Sequence, residues 1–298
     1  MNHNPEPPPL INKKTARQSF NQAAKTYDSV AVLQREVGQR MLERLDIVRL
    51  QPDVIVDIGC GTGDMVQALA KRYKKSQILA LDFAERMLIE ARVKQPLKQK
   101  LWGKPLRYIC GDAEKLPLAS HSVDFVFSNL TLQWCNQMDV AFTEFRRILK
   151  PGGLLMFSTL GPDTLKELRQ SWMIIDNQPH VHPFIDMHHV GDALLRARFA
   201  DPVMDVENFV LTFNDGYQLM RELKQLGAHN AATQRAQGLT GKSQLKKMLQ
   251  AYERFRTPEE NKLPATYEVV YGHAWVPEAQ KQQSDHTVRV DFQPGPNR

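Results

Sequence analysis

The 298-residue sequence holds only three cysteines, Cys60, Cys110 and Cys135, set far apart. An odd and scattered set offers neither a disulfide framework nor a zinc cluster, and it fits a reducing cytoplasm, the expected location. No apolar run approaches the roughly 20 residues that a membrane-spanning helix needs. The opening MNHNPEPPPL lacks the apolar core of a signal peptide. No run of five basic residues occurs, so a nucleic-acid-binding arm has no support. No repeat is visible either. What remains is an ordinary soluble composition, 42% hydrophobic and 24% charged. The formal charge of +6 favours an acidic partner without choosing its kind.

Residues 1–12, with four prolines in the first ten, and the polar stretch 277–298 read as disordered. Between them lies one domain, 13–276, made of a helical cap (13–46), a core (50–214) and a helical insert (about 215–260). In the cap, 13–27 and 30–46 read as helices, the second with Val30, Leu33, Val37, Met41, Leu42 and Leu45 at helical spacing. Short apolar strands follow at 54–58, 78–82, 106–112, 123–129 and 154–160, alternating with helices at 64–73, 84–94 and 138–149. The turn Lys150-Pro151-Gly152-Gly153 reads as a stop after the last of these. Such alternation predicts an α/β fold, a Rossmann-like parallel sheet with helices on both faces. Farther on, helices at about 162–176, 187–197, 216–226 and 241–255 surround strands near 203–213 and 265–274. The expected total is one sheet of about seven strands, with the insert before the last.

Chemistry gathers at the carboxyl ends of these strands. Asp57-Ile58-Gly59-Cys60-Gly61-Thr62-Gly63 follows the first strand and opens a helix. Glycines there permit a tight turn and let a ligand approach the backbone. Alone, such a loop serves a dinucleotide, a nucleotide phosphate or neither. The spacing is G-x-G-x-G, and Asp64 stands where the dinucleotide pattern has its third glycine. An acid at that helix N-terminus repels a pyrophosphate. Asp57 is placed to hold a cationic amine such as a methionine moiety. Asp82 ends the second strand, where a carboxylate can accept from both ribose hydroxyls. Gly111-Asp112-Ala113 ends the third, suited to an adenine amino group, and Ser128-Asn129-Leu130 ends the fourth.

VDIGCGTG, ALD, GDAEKLPL, VDFVFSN and the KPGG turn together resemble the successive motifs of the seven-stranded class I methyltransferases, over roughly residues 50–160. The resemblance implies S-adenosyl-L-methionine as cofactor. It implies that Asp57, Gly59, Gly61 and Gly63 line it, that Asp82 holds its ribose, that Asp112 and Ala113 meet its adenine, and that Asn129 lies beside its methionine part. No metal is implied.

Three further segments bear on the substrate. Phe20, Ala23, Ala24 and Tyr27 share one helical face, which reads either as packing on the sheet or as a cap whose Tyr27 hydroxyl reaches the pocket. Gln133 and Trp134, just past the fourth strand, suit a substrate wall. The segment from Thr159 to Arg169, with Trp172, is followed by His180 and His182, which lack a convincing third metal ligand and read as a polar loop. SNLTLQWC, FSTLGPDTLKELRQSW, LKQLGAHN and LPATYEVVYGHAW resemble the malonyl-carrier-protein O-methyltransferase family of biotin synthesis, over about 13–275. That resemblance implies methylation of the free carboxylate of a malonyl thioester on acyl carrier protein. Such a site needs a cation or donor to orient the carboxylate, and Arg169, a short helix past the fifth strand, is the candidate holder. It also gives the insert a use. Nine Lys/Arg against four Glu between 221 and 262 make it the expected docking surface for an acidic carrier protein. Two rivals stay open: an arginine hydroxylase resembling the assembly factors of respiratory complex I, and a non-catalytic protein that binds S-adenosylmethionine. The Gln133-Trp134-Cys135 segment and the lack of an Arg-rich presequence speak against the first.

Overall fold

The computed structural model describes residues 10–96, 104, 106–176, 178–228 and 241–278. Seven strands form one sheet: β1 (Val54–Ile58), β2 (Gln77–Asp82), β3 (Arg107–Cys110), β4 (Val123–Ser128), β5 (Leu149–Leu160), β6 (Ala200–Phe213) and β7 (Leu263–Trp275). Their order is β3-β2-β1-β4-β5-β7-β6. The pairs β1–β2, β1–β4, β2–β3 and β4–β5 are parallel. β7 runs antiparallel to both of its neighbours, so the sheet is mixed at this edge rather than parallel throughout.

Both faces are covered, which is why the central strands read as unbroken apolar runs. Successive residues alternate between two cores. Ile55, Ile78, Phe125 and Leu154 pack on one side with Leu33, Val37, Met41 and Leu45. Val56, Leu79, Val126 and Leu155 pack on the other with Phe142, Phe145, Val190 and Leu194. The helices are α1 (Lys13–Ala23), α2 (Tyr27–Val30), α3 (Val32–Arg44), α4 (Asp64–Arg72), α5 (Glu85–Val93), α6 (Met138–Ile148), α7 (Lys166–Met173), α8 (Met187–Arg196), α9 (Gly216–Gln225) and α10 (Lys242–Tyr252). The spacing of Leu33, Val37 and Met41 gives α3 its buried stripe. α9 and α10 lie between β6 and β7, the place expected for the helical insert.

Three boundaries differ from the sequence reading. The Lys150-Pro151-Gly152-Gly153 turn is not a loop between helix and strand. α6 ends at Ile148 and β5 begins at Leu149, pairing with Val123 across an irregular register. The Gly152 N–H donates to the Val276 carbonyl and the Val276 N–H to that of Gly153 (2.9 Å each), so backbone pairing absorbs the segment. At the N-terminus, Ile11 is buried against Ala16, Phe83 and Trp134, and the Asn136 side chain bonds both its N–H and its carbonyl. Residues 10–12 are thus part of the fold rather than a disordered lead. The rest of that stretch, and residues 279–298 of the expected tail, lie outside the described residues. Third, the first cap helix stops at Ala23, and Tyr27 begins a separate four-residue turn.

Candidate active site

The glycine loop connects β1 to α4 and is pinned to the neighbouring strand. Gly59 and Cys60 donate to the Leu81 carbonyl, and the Gly61 N–H donates to Asp82 Oδ2 (2.9 Å). Asp82 Oδ1 accepts from the Ala84 N–H (2.7 Å). The acid at the end of β2 therefore shapes the loop itself. Burial raises its carboxyl to about 6, against backbone donors that pull it down. Gly59 has φ 77, and a Cβ there would meet Thr131 Oγ1 at 1.9 Å, so two requirements converge on glycine.

Asp57 is the most unusual group of the site. It is 1% exposed, its Oδ2 has no hydrogen-bond partner, and burial, with Asp82 nearby, holds its carboxyl at about 8. A buried carboxylate without a cation is costly. A ligand amine beside it removes that cost, so the residues present fit a cofactor with a cationic amino acid moiety. Asp57 lines a small pocket with Gly59, Gly61, Thr62, Tyr27 and Asn129.

That pocket adjoins a cavity of about 340 Å³. Gly59, Gly61, Asp82, Asp112, Ala113 and Asn129 all line the larger space, so the strand-end residues chosen from sequence do converge. Gly63 does not. It caps α4 with φ 87, and a Cβ there would meet the Ala91 Cβ at 2.8 Å, so its glycine serves packing of the loop on α5. Asp64 also differs from expectation. Lys94 Nζ pairs with it (2.9 Å), with Asp28 Oδ2 (2.5 Å) and with Thr62 Oγ1. Its charge is offset, which weakens the repulsion argument, and the same lysine ties the cap to the loop.

The cap closes over this end. Phe20, Ala24 and Tyr27 pack with Phe83, Ala84 and Met87, although the helix breaks between them. Tyr27 lines both spaces, and burial, with Asp82 next, pushes its phenol well above the usual range, keeping it a neutral donor. Asn129 Nδ2 donates to the Gln34 carbonyl and its Oδ1 accepts from Ser158, so the amide bridges α3 and β5. Lys13 Nζ sits 2.6 and 2.7 Å from the two Asp112 oxygens and pairs with Glu114 as well. Trp134 stands edge-on to Phe20 (5.0 Å), which in turn meets Phe83 (5.6 Å). It lines the cavity from the cap side, where it packs with Ile11, Ala16 and Phe83.

Beyond Asn129 the cavity becomes an apolar chamber under β5, β6, β7 and α9, with Leu165, Trp172, Phe213 and Leu223 in its wall. Arg169 is not among the lining residues. Its guanidinium donates to the Pro162 (2.8 Å) and Thr164 (2.9 Å) carbonyls and braces the start of α7. The expected carboxylate holder is thus spent on backbone. The sequence reading took His180 and His182 for a polar loop, yet both line the chamber. His182 has a buried Nδ1 with no partner, and burial lowers its ring. His180 stacks on Trp172 (3.7 Å) and bonds Asp176 (2.8 Å). Tyr267 and Lys224 also line it. A run of polar residues around a proline gave no signal of which would turn inward.

The chain matches the family model of the methyltransferase domain over residues 56–157. It is 52% identical to the malonyl-(acyl-carrier protein) O-methyltransferase of Methylovorus sp. (strain MP688), covering 96% of each chain. It is 50% identical to that of Gallionella capsiferriformans, covering 90% of this chain and 92% of the relative. Among solved structures, the YcgJ protein of Bacillus subtilis shares the fold with a TM-score of 0.58 at 13% identity, over 82% of this chain and all of that one. Fold and site together define the class, a class I S-adenosylmethionine-dependent methyltransferase. Within that class, the chain belongs to the malonyl-(acyl-carrier protein) O-methyltransferase family.

Proposed function

We propose that this protein transfers a methyl group from S-adenosylmethionine to the free carboxylate of a malonyl thioester on acyl carrier protein, an early step of biotin synthesis carried out in the cytoplasm. The observation that carries the reading is 52% identity to a relative of that name across 96% of the chain. The same likeness favours it over an arginine hydroxylase or a non-catalytic binder.

When bound, the cofactor supplies an electrophilic methyl group on a sulfonium. This chain's residues bind, align and exclude water. Asp57 meets the methionine ammonium beside the backbone of Gly59 and Gly61, and the remaining lone pairs of Asp82 accept from the ribose. Asp112 and Ala113 face the adenine, with Trp134 and Phe83 as its apolar wall. Asn129 borders the methionine part, and Tyr27 covers the loop. A carboxylate is nucleophilic at neutral pH, so the reaction needs positioning and desolvation rather than a general base. The product ester has lost a charge that is costly to bury in an apolar site.

The carrier protein docks on the basic side of the insert. Arg221, Lys224, Lys246 and Lys247 are exposed and make no ion pair among the described residues. Arg254 reaches Gln170 (3.5 Å) and lies over the Phe255 ring, Arg256 is paired with Glu253, and Lys262 bonds Asn214. Arg235 and the Lys242 side chain, also counted in the basic insert, lie outside the described residues. Of the free four, Lys224 also lines the cavity, which sets the mouth of the chamber beside α9.

Methyl-labelled S-adenosylmethionine with malonyl-, succinyl- and acetyl-carrier protein tests the reading. Base-labile label on the malonyl substrate is the expected result. Absence of label there, with cofactor binding intact, overturns it.

A further inference from the structure

A carboxylate entering the apolar chamber needs donors that orient it, and Arg169 supplies none. Most polar side chains of the chamber wall are already engaged. Gln133 donates to the Leu130 carbonyl and accepts from Thr159. The Thr164 hydroxyl donates to the Glu268 carbonyl and accepts from its N–H. His180 bonds Asp176, and Glu222 accepts from the Gln218 side chain. Tyr27 and Gln34 also border the small pocket beside Asp57 and Lys224 is exposed, which leaves two buried groups in the chamber wall. Tyr267, on β7, is 7% exposed and lines the chamber, and its hydroxyl makes no hydrogen bond among the described residues. His182 lines the same chamber with an unpartnered ring nitrogen. A buried ring nitrogen without a partner and, in the same apolar wall, a hydroxyl that no described residue engages point to a polar ligand that completes them.

We propose that the Tyr267 hydroxyl and the His182 ring hydrogen-bond the free carboxylate of the substrate and orient it for methyl transfer. The inference rests on the functional reading above and names the residues that grip its substrate. Neutral donors suit the chemistry better than a guanidinium. A close cation draws charge from the carboxylate and makes it a poorer nucleophile, whereas a hydroxyl can hold one oxygen and leave the other free to attack. Burial, with Glu222 and Glu167 nearby, keeps the Tyr267 phenol protonated, and burial keeps the His182 ring neutral. In the transfer, a carboxylate oxygen supplies the electron pair of the new C–O bond. The pair of the breaking C–S bond stays on sulfur, and no proton moves.

The test uses the full chain with Tyr267→Phe, His182→Leu and His182→Gln. Three quantities are read: cofactor Kd, kcat/KM for malonyl-carrier protein, and inhibition by acetyl-carrier protein, which has no carboxylate. Tyr267→Phe and His182→Leu are expected to lower kcat/KM by roughly 10- to 100-fold, the loss typical of a hydrogen bond to a charged group. Cofactor Kd and acetyl-carrier inhibition stay as in the unmodified protein. His182→Gln, which keeps an N–H donor, recovers part of the loss. Unchanged kcat/KM in Tyr267→Phe overturns the inference alone. So does an equal loss in acetyl-carrier or cofactor binding, which marks a packing role. An unmodified protein that binds cofactor but never labels the malonyl substrate overturns the functional reading, and this inference with it.

Discussion

Asp57 shows at the scale of one residue how a binding site is held at the expense of stability. Its carboxyl sits at about 8 in the fold, against about 4 in an unfolded chain. The fold therefore favours the protonated form. The contribution to stability is full below about pH 4 and is lost as pH rises through about 8. Asp57→Asn keeps the shape and removes the charge. In a thermal melt without cofactor, this variant should gain Tm over the unmodified protein, more at pH 8 than at pH 4. By titration its cofactor Kd should rise roughly 10- to 100-fold, because a charged hydrogen bond is gone. A variant that melts lower at pH 8 would show that Asp57 has a partner in the free protein. The acid itself was legible from its place before G-x-G-x-G. Its missing partner was not, because burial depends on Asp82 and on a cap distant in sequence. Arg169 is the converse case: an arginine near a strand end looked like an anion holder, and local carbonyls took its donors.

At the scale of elements, the cap is fastened by contacts that no periodicity announces. Phe20 on α1 meets Trp134 and Phe83 edge-on, and Lys13 reaches Asp112 and Glu114. Lys94 joins Asp28 to Asp64. Phe20→Ala removes both ring contacts and should cost about 2 kcal/mol, below the range for a fully buried aromatic because Phe20 is only half-buried. The cap loosens before the sheet does. Limited proteolysis should therefore cut around α1 sooner in this variant, and cofactor dissociation should quicken. Equal cleavage rates would show that the ion pairs hold the cap without the ring. The Lys150-Pro151-Gly152-Gly153 turn is the element where local chemistry misled. Proline and glycine signal a break, yet pairing with Val123 and Val276 drew the segment into β5, because an edge of backbone donors and acceptors was waiting.

For the whole molecule, the mouth of the chamber and the basic side of the insert coincide at Lys224. In the docking proposed above, a cation at that point serves steering and register together. Lys224→Glu should raise KM for malonyl-carrier protein about tenfold and flatten its salt dependence, with cofactor Kd unchanged. Reversal at Lys246 and Lys247, which do not line the cavity, should change KM less. A larger effect from that pair would move docking onto α10.

By itself the sequence determined the sheet, the glycine loop and the acids at the strand ends, because each depends on period, spacing or turn chemistry within a few residues. Residues 56–157 carry the glycine loop, the strand-end acids and most of the first five strands. Only the tertiary structure decided that β7 runs antiparallel, that Gly63 serves packing, that Trp134 packs on the cap side and that Tyr267 and His182 face the chamber. Those outcomes depend on which surfaces meet after folding. A side chain's partners, and hence whether it is free to bind, come from segments up to 199 residues away, as between Thr26 and Gln225.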